Sequence, residues 1–278
     1  MLRPPGNWMS DKPAFSGSEA REEKPLLVVR NVGIEFGGIA ALKNVSFNVP
    51  RGDIVGLIGP NGAGKTTLFN CLSRIYRPSR GDILLENRSI LQQPQHRIAA
   101  MGIGRTFQNV ALFSTLSVRD NIRIGGHAIT KGDAISDMIR LPNRRRTEER
   151  LDEVAREICD FLDLREVEDL AVASLPFGTQ KRVELGRALA MRPKILLLDE
   201  PAGGLNHEEV FALGSLIVRI RDQLGITILL VEHHMGLVMS IADRVVALNF
   251  GEKLSEGTPG YVQSDENVIK AYLGSKAT

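Results

Sequence analysis

Residues 53–66 read DIVGLIGPNGAGKT. Its first six residues are mostly apolar, as expected of a buried strand, and the eight that follow match the phosphate-loop pattern G-x-x-x-x-G-K-[S/T] at every position. Apolar residues at helical spacing continue from Thr66 to Arg74. A strand, a glycine-rich turn and a helix in this order predict a cradle for nucleotide phosphates. The alternative, a glycine-rich turn that serves only packing, leaves the complete match without a reason.

The residue types of this stretch suit phosphate binding. Glycines permit backbone conformations and close approach that a β-carbon forbids, so successive N–H groups can point into one concavity. The helix adds its positive dipole end, the Lys65 ammonium supplies a charge between the β- and γ-phosphates, and the Thr66 hydroxyl fits one position around Mg²⁺. The predicted nucleotide contacts are Gly59, Pro60, Asn61, Gly62, Ala63, Gly64, Lys65, Thr66 and Thr67.

The surrounding pattern predicts an α/β protein. Short, almost entirely apolar runs at 194–199 and 226–232 are typical of strands buried on both faces of a parallel sheet. Helical patterns alternate with such strands, which is the order expected of an α/β sheet. Further strands are predicted at 26–29, 45–49 and 81–85, and helices at 147–164 and 180–191.

Two carboxylates stand at the end of the run 194–199, where open α/β sheets place their ligands. Asp199 fits a role in holding Mg²⁺ through water, and Glu200 fits a general base for the attacking water. The same pair also fits a helix N-cap and first turn, which Pro201 would suit. The complete phosphate loop favours the catalytic interpretation.

Composition excludes several functional classes. The 35 basic and 33 acidic residues leave a net charge of +2, too little to gather nucleic acid. No apolar run approaches the ~20 residues needed to cross a bilayer, and we expect no secretory signal. Cys71 and Cys159 fit buried, reduced thiols of a cytosolic chain. Residues 1–24 are predicted to form a disordered tail.

Beyond the phosphate loop, the sequence resembles the ATP-binding subunits of ABC transporters from about Leu26 to Leu273. Four stretches carry the resemblance: RTFQN at 105–109, LPFGTQKR at 175–182, PAGGLN at 201–206 and VEH at 231–233. They are similar, in order, to the Q-loop, the signature motif, the D-loop and the switch histidine after the last core strand. The residues to which the resemblance assigns roles are Gln108 (metal and catalysis), Phe177 and Gly178 (the partner's nucleotide), His233 (catalysis) and Phe36 (adenine stacking).

The resemblance implies a P-loop NTPase core with a RecA-like, mostly parallel sheet, an antiparallel β-subdomain and an inserted α-helical subdomain. It implies an ATPase domain at 25–278 after the tail. Within that domain the expected parts are a nucleotide-binding core at 25–91 and 189–257, a helical subdomain at 92–188 and a C-terminal helical segment at 258–278.

In this family ATP is held between the phosphate loop of one protomer and the signature helix of another, so the resemblance implies a head-to-tail homo- or heterodimer that needs ATP and Mg²⁺. The signature and D-loop are similar to those of branched-chain amino-acid uptake transporters. The implied partners are two membrane permease subunits, a second ATPase subunit and, indirectly, an extracytoplasmic binding protein. The implied location is peripheral, on the cytoplasmic face of the membrane.

Three positions depart from the family pattern. Pro176 lacks the hydroxyl that most signatures offer the γ-phosphate, although this subfamily commonly has proline there. Thr179 replaces a glutamine, and His234 replaces the aspartate that commonly follows the switch histidine. The cargo stays open, because relatives by motif order include ATPases for urea or amides and for lipid export. A soluble ABC-type ATPase that acts on DNA or ribosomes is a further alternative. Such proteins usually fuse two cassettes or insert a coiled coil or zinc module, and none is evident here.

Overall fold

The computed structural model of the chain describes residues 25–106, 111–127 and 142–274. These residues form two compact units. The first unit, called the core unit, comprises 25–106 and 194–274, and the second, called the helical unit, comprises 111–127 and 142–193. Within the described residues, no helix is both long and apolar enough to span a membrane.

The core unit contains two sheets. One is a six-stranded sheet with the order β10-β9-β3-β8-β7-β6, in which only β10 runs antiparallel to its neighbour. Its strands are β3 (Ile54–Ile58), β6 (Ile103–Arg105), β7 (Ile195–Asp199), β8 (Thr227–Val231), β9 (Arg244–Asn249) and β10 (Glu252–Gly257). Every residue of β3, β7 and β8 is buried, as predicted for strands covered on both faces.

The second sheet is antiparallel, with the order β2-β1-β4-β5. Its strands are β1 (Leu27–Phe36), β2 (Ile39–Val49), β4 (Arg80–Leu85) and β5 (Arg88–Ser89). Leu27 pairs with Val49 on one side and Leu85 on the other, and all three side chains are buried. The two sheets share one hydrophobic core around Phe69, which fixes the first helix after the phosphate loop between them.

The helices of the core unit are α1 (Lys65–Leu72), α2 (Ile98–Met101), α6 (His207–Leu224), α7 (Met235–Ile241), α8 (Pro259–Ser264) and α9 (Glu266–Gly274). Local sequence explains the bounds of α6. The Asn206 side chain accepts from the Glu209 N–H while the Glu209 side chain accepts from the Asn206 N–H, which is a capping box. Gly225 ends the helix at φ 66°, a conformation that favours glycine.

The helical unit contains α3 (Val118–His127), α4 (Pro142–Phe161) and α5 (Phe177–Ala190). Helices α3 and α5 approach closely, since a β-carbon on Gly125 would lie 2.0 Å from the Arg187 carbonyl oxygen. Arg119 joins the base of α3 to neighbouring segments through ion pairs with Asp152, Glu168 and Asp169. Close helix packing at a glycine and the ion pairs of one arginine therefore hold this unit together.

The bounds of the two units differ from those expected. The described part of the helical unit lies at 111–127 and 142–193, whereas the sequence led us to expect a helical subdomain at 92–188. The reason is β6, whose residues Ile103–Arg105 pair with Ile195–Leu197 and so belong to the core sheet. Strand β8 is also not the last core strand, because β9 follows it and pairs with β3.

Candidate nucleotide-binding site

The phosphate loop lies between β3 and α1, as predicted. Gly59 has φ +153°, and a β-carbon there would lie 2.3 Å from the Leu248 carbonyl oxygen. Gly64 has φ +100°, and a β-carbon there would lie 2.8 Å from the Ala41 carbonyl oxygen. Gly64 is also the N-cap of α1, so its lack of a side chain leaves the first N–H groups of the helix available to an anion.

Lys65 begins α1 and points back into the loop. Its ammonium donates to the carbonyl oxygens of Gly59 at 2.7 Å and Pro60 at 3.0 Å, and the side chain is only 5% exposed. Burial lowers the pKa of Lys65, and the nearby carboxylates of Glu200 and Asp199 oppose that shift. The predicted lysine and both predicted carboxylates are therefore close enough to interact.

The C-terminal helix also reaches the phosphate loop. Tyr272 of α9 interacts with the backbone of Gly59; burial raises the pKa of its hydroxyl to about 12, and this contact opposes the shift. The sequence pattern gave no sign of this contact, because 213 residues separate the two positions in the chain. The loop is thus supported from β9, from β2 and from α9.

Asp199 lies at the end of β7 and is 3% exposed. Arg105, the last residue of β6, donates to its Oδ2 at 2.7 Å. The same guanidinium donates to Asn70 Oδ1 and Ser73 Oγ, both at 2.9 Å, near the end of α1. Arg105 therefore joins the carboxylate to the helix of the phosphate loop, a role that sequence reasoning missed.

Glu200 follows Asp199 with φ +48°. Its Oε1 lies 2.5 Å from Nε2 of His233, so the predicted base and the predicted switch histidine meet. The alternative interpretation of the two carboxylates as a helix N-cap and first turn is wrong. The next helix, α6, begins only at His207 and is capped by Asn206.

His234 caps a helix with its side chain, as an aspartate at this position could also do. It is the N-cap of α7, and its Nδ1 accepts from the Leu237 N–H at 3.3 Å. The ring of His207 lies against it edge to face, with 6.2 Å between the ring centroids. The departure noted in the sequence therefore keeps the helix cap while removing a carboxylate.

The signature stretch lies in the helical unit, at the start of α5. The predicted helix start at 180 placed Gly178 just before the helix. The helix in fact begins at Phe177, so Gly178 lies inside its first turn. Pro176 is the N-cap and provides no side-chain acceptor, and Phe177 is 45% exposed. Thr179 accepts from Arg182 at 3.4 Å within the helix.

Among the described residues, the structure shows no contact of Phe36 with the phosphate loop or the carboxylates. Phe36 ends β1 in the core unit, is 45% exposed and packs edge to face on Tyr76 with 5.2 Å between ring centroids. Its exposed face is available for stacking. Gln108 lies outside the described residues.

The two cysteines carry no chemistry at this site. Cys71 and Cys159 are buried and not disulfide-bonded, and burial raises the pKa of each thiol to about 12. They pack as small apolar side chains, as predicted.

A phosphate loop on a parallel sheet, paired carboxylates at a strand end and a histidine against the second carboxylate define an ABC-type ATPase. The chain belongs to the ABC transporter family, whose model matches residues 42–203. A second family model, described as branched-chain amino acid ATP-binding cassette transporter, matches residues 252–278. The family and the fold class expected from the sequence are thus confirmed, and the chain binds nucleotide as its family does.

Similar proteins agree with this assignment. The high-affinity branched-chain amino acid transport ATP-binding protein BraF of Pseudomonas aeruginosa is 41% identical over 251 residues, covering 90% of this chain and 98% of that protein. The corresponding protein LivG of Escherichia coli is 42% identical over 252 residues, with the same shares covered.

Solved structures agree as well. The ADP conformation of MJ1267, an ATP-binding cassette of an ABC transporter, superposes with a TM-score of 0.78 at 28% identity, covering 90% of this chain and 99% of that one. The dimeric structure of MJ0796, a bacterial ABC transporter cassette, superposes with a TM-score of 0.70 at 25% identity, covering 84% and 98%.

Proposed function

We propose that this chain is the energy-coupling subunit of an importer for branched-chain amino acids, and that it hydrolyses ATP at the phosphate loop. The observation that carries the proposal is the 2.5 Å contact between Glu200 and His233, in the core unit that also holds the buried Asp199 and Lys65. It brings a base, a histidine and a phosphate-binding cation to one edge of a sheet.

Each residue has a task that its surroundings suit. Lys65 and the N–H groups at the start of α1 bind the β- and γ-phosphates. Glu200 accepts the proton of the attacking water, and His233 holds that carboxylate in place and responds to the γ-phosphate. Phe36 offers an exposed ring to the adenine, and Gln108 links the site to the membrane partner.

The donor set fits Mg²⁺. Thr66 is exposed at the first turn of α1, and Asp199 is a buried carboxylate at the end of β7 in the same sheet. Mg²⁺ takes oxygen ligands and retains waters and phosphate oxygens, so these two residues together with Gln108 suffice on the protein side. When bound, the ion neutralises the charge that develops on the phosphates. The described residues contain no group of three or more His, Cys, Asp or Glu side chains that would form a closed metal cage.

A second protomer completes the nucleotide site. The start of α5, with Phe177 and Gly178, lies in a different unit from the phosphate loop, and its first N–H groups receive no side-chain cap. Such a helix terminus is suited to a phosphate. We therefore propose a head-to-tail dimer with an identical or a sister subunit, in which ATP joins the protomers and hydrolysis releases them.

The names of the relatives support a proposal for the membrane partners. BraF and LivG are named for branched-chain amino acid transport, and the family model at residues 252–278 carries the same description. We propose that two permease subunits bind this chain at the cytoplasmic face of the membrane and that an extracytoplasmic binding protein delivers the amino acid to them.

Reconstituted vesicles test the proposal. The chain is co-purified with its membrane partners, and ATP-dependent uptake of leucine is measured for the wild type and for Glu200→Gln. We expect uptake by the wild type only. Wild-type uptake by the variant would contradict the role of Glu200. ATP hydrolysis without uptake of any branched-chain amino acid would support the ATPase activity and contradict the proposed cargo.

A further inference from the structure

Glu232 is a buried carboxylate that the catalytic assignments above do not use. It follows β8 directly and is 3% exposed. Burying a carboxylate costs free energy unless hydrogen bonds replace the lost water, so its partners reveal what it holds in place. Those partners are backbone N–H groups from two separate segments of the core unit.

Both oxygens of the carboxylate accept hydrogen bonds. Oε1 accepts from the N–H of Ala202 at 2.6 Å, and Oε2 accepts from the N–H groups of His233 at 3.0 Å and His234 at 3.3 Å. Ala202 lies two residues after the base Glu200, whereas His233 and His234 follow β8. The side chain thus joins the loop after β7 to the loop after β8 at their backbones.

The two segments joined by Glu232 are the ones that carry the contact between Glu200 and His233. On one side, the N–H of Gly203 donates to the Glu200 carbonyl oxygen at 3.1 Å, so the start of this loop is a tight turn. On the other side, the N–H of His233 donates to the Glu232 carboxylate itself. A displacement of either segment changes the distance between the base and the histidine.

We propose that Glu232 is a positioning residue for ATP hydrolysis, which fixes the separation of Glu200 and His233 by bridging the backbones of the D-loop and the switch segment. This inference rests on the proposed function. The phosphate loop is not among its partners, so the bridge acts on the rate of hydrolysis and not on nucleotide affinity.

The test compares Glu232→Gln with Glu209→Gln. A glutamine at 232 has one carbonyl oxygen, so it leaves at least one of the bridged segments facing an amide group that cannot accept. At 209 a single N–H is accepted, from Asn206, and an amide oxygen serves that purpose equally well. The two substitutions are therefore chemically identical, but only the first breaks a bridge.

For Glu232→Gln we expect kcat to fall about 10- to 100-fold, with the KM for ATP within about twofold of wild type. Hydrogen–deuterium exchange at the amides of Ala202 and His233 should quicken at least about tenfold, whereas exchange in the phosphate loop stays unchanged. Glu209→Gln should match the wild type in all three measurements. Equal kcat values for the two variants, or a parallel loss of nucleotide affinity, would overturn the proposal.

Two further results keep the test decisive. If Glu232→Gln does not fold, exchange in the wild-type protein decides, since unprotected amides at Ala202 and His233 would contradict the bridge. If Glu200→Gln retains full turnover, Glu200 is not the general base and the proposed function is wrong. The exchange measurement still reports whether Glu232 joins the two segments. Failure of the inference and failure of the proposed function are therefore distinguishable.

Discussion

Substituting Gly59 by alanine tests whether the shape of the phosphate loop depends on the missing β-carbon. The new atom would lie 2.3 Å from the Leu248 carbonyl oxygen and 2.9 Å from the Ala63 β-carbon, and φ at this position is +153°. An unfavourable backbone conformation costs about 1–2 kcal/mol, and overpacking against fixed atoms costs about 1–3 kcal/mol more. We therefore expect the free energy of unfolding to fall by about 2–5 kcal/mol.

The matched control is Gly38→Ala. Gly38 has φ +82°, but a β-carbon there meets no heavy atom within 4 Å, so only the backbone cost of about 1 kcal/mol remains. Thermal unfolding should show a Tm lower by several degrees for Gly59→Ala and by a few degrees at most for the control, because about 1 kcal/mol corresponds to ~2–4 °C in a domain of this size.

Nucleotide affinity provides the second readout of the same pair. Relief of the clash must move either β9 or the loop, so we expect Gly59→Ala to bind ATP at least about tenfold more weakly in a titration, and Gly38→Ala to bind as the wild type does. If alanine at position 59 leaves both Tm and affinity unchanged, the loop adapts freely to the added β-carbon and the prediction is wrong.

Three further predictions concern single side chains. Lys65→Ala should abolish nucleotide binding and turnover, as measured by titration and phosphate release, because it removes the charge that binds the phosphates. His234→Ala should lower the free energy of unfolding by about 1 kcal/mol through loss of the α7 cap, whereas His234→Asp should keep the cap and leave turnover within about twofold; complete inactivity of the aspartate variant would contradict this. Arg105→Met should cost about 3–5 kcal/mol in denaturant unfolding, because it leaves the buried Asp199 carboxylate without its partner, and a loss below about 1 kcal/mol would show that Asp199 has other support.

Local pattern predicted the centre of the fold well. The phosphate loop and strands β7 and β8 were predictable because strands buried on both faces form continuous apolar runs. Strands β6 and β10 were not. The first has three residues, one of them a glycine, and the second, EKLSEG, is a largely polar edge strand without apolar alternation.

Within the site, sequence reasoning found the groups that chemistry requires but not those that hold them. Asp199, Glu200 and His233 were expected from their motifs, and the structure brings Glu200 and His233 into contact. The supporting roles of Arg105 and Glu232 were not predicted. Arg105 contacts Asp199 across 94 residues of sequence, and Glu232 contacts Ala202 across 30. A single sequence gives no indication of which distant backbone groups a buried charge will meet.

The proposed function requires a second protomer to complete each nucleotide site. The most direct measurement is the solution mass of Glu200→Gln by light scattering, alone and mixed with the second ATPase subunit of its transporter, with and without ATP and Mg²⁺. With slow hydrolysis, we expect ATP to shift the mass from 30.5 kDa to that of a dimer in at least one mixture, and removal of Mg²⁺ to reverse the shift. A monomer mass under every condition, with nucleotide bound, would contradict it.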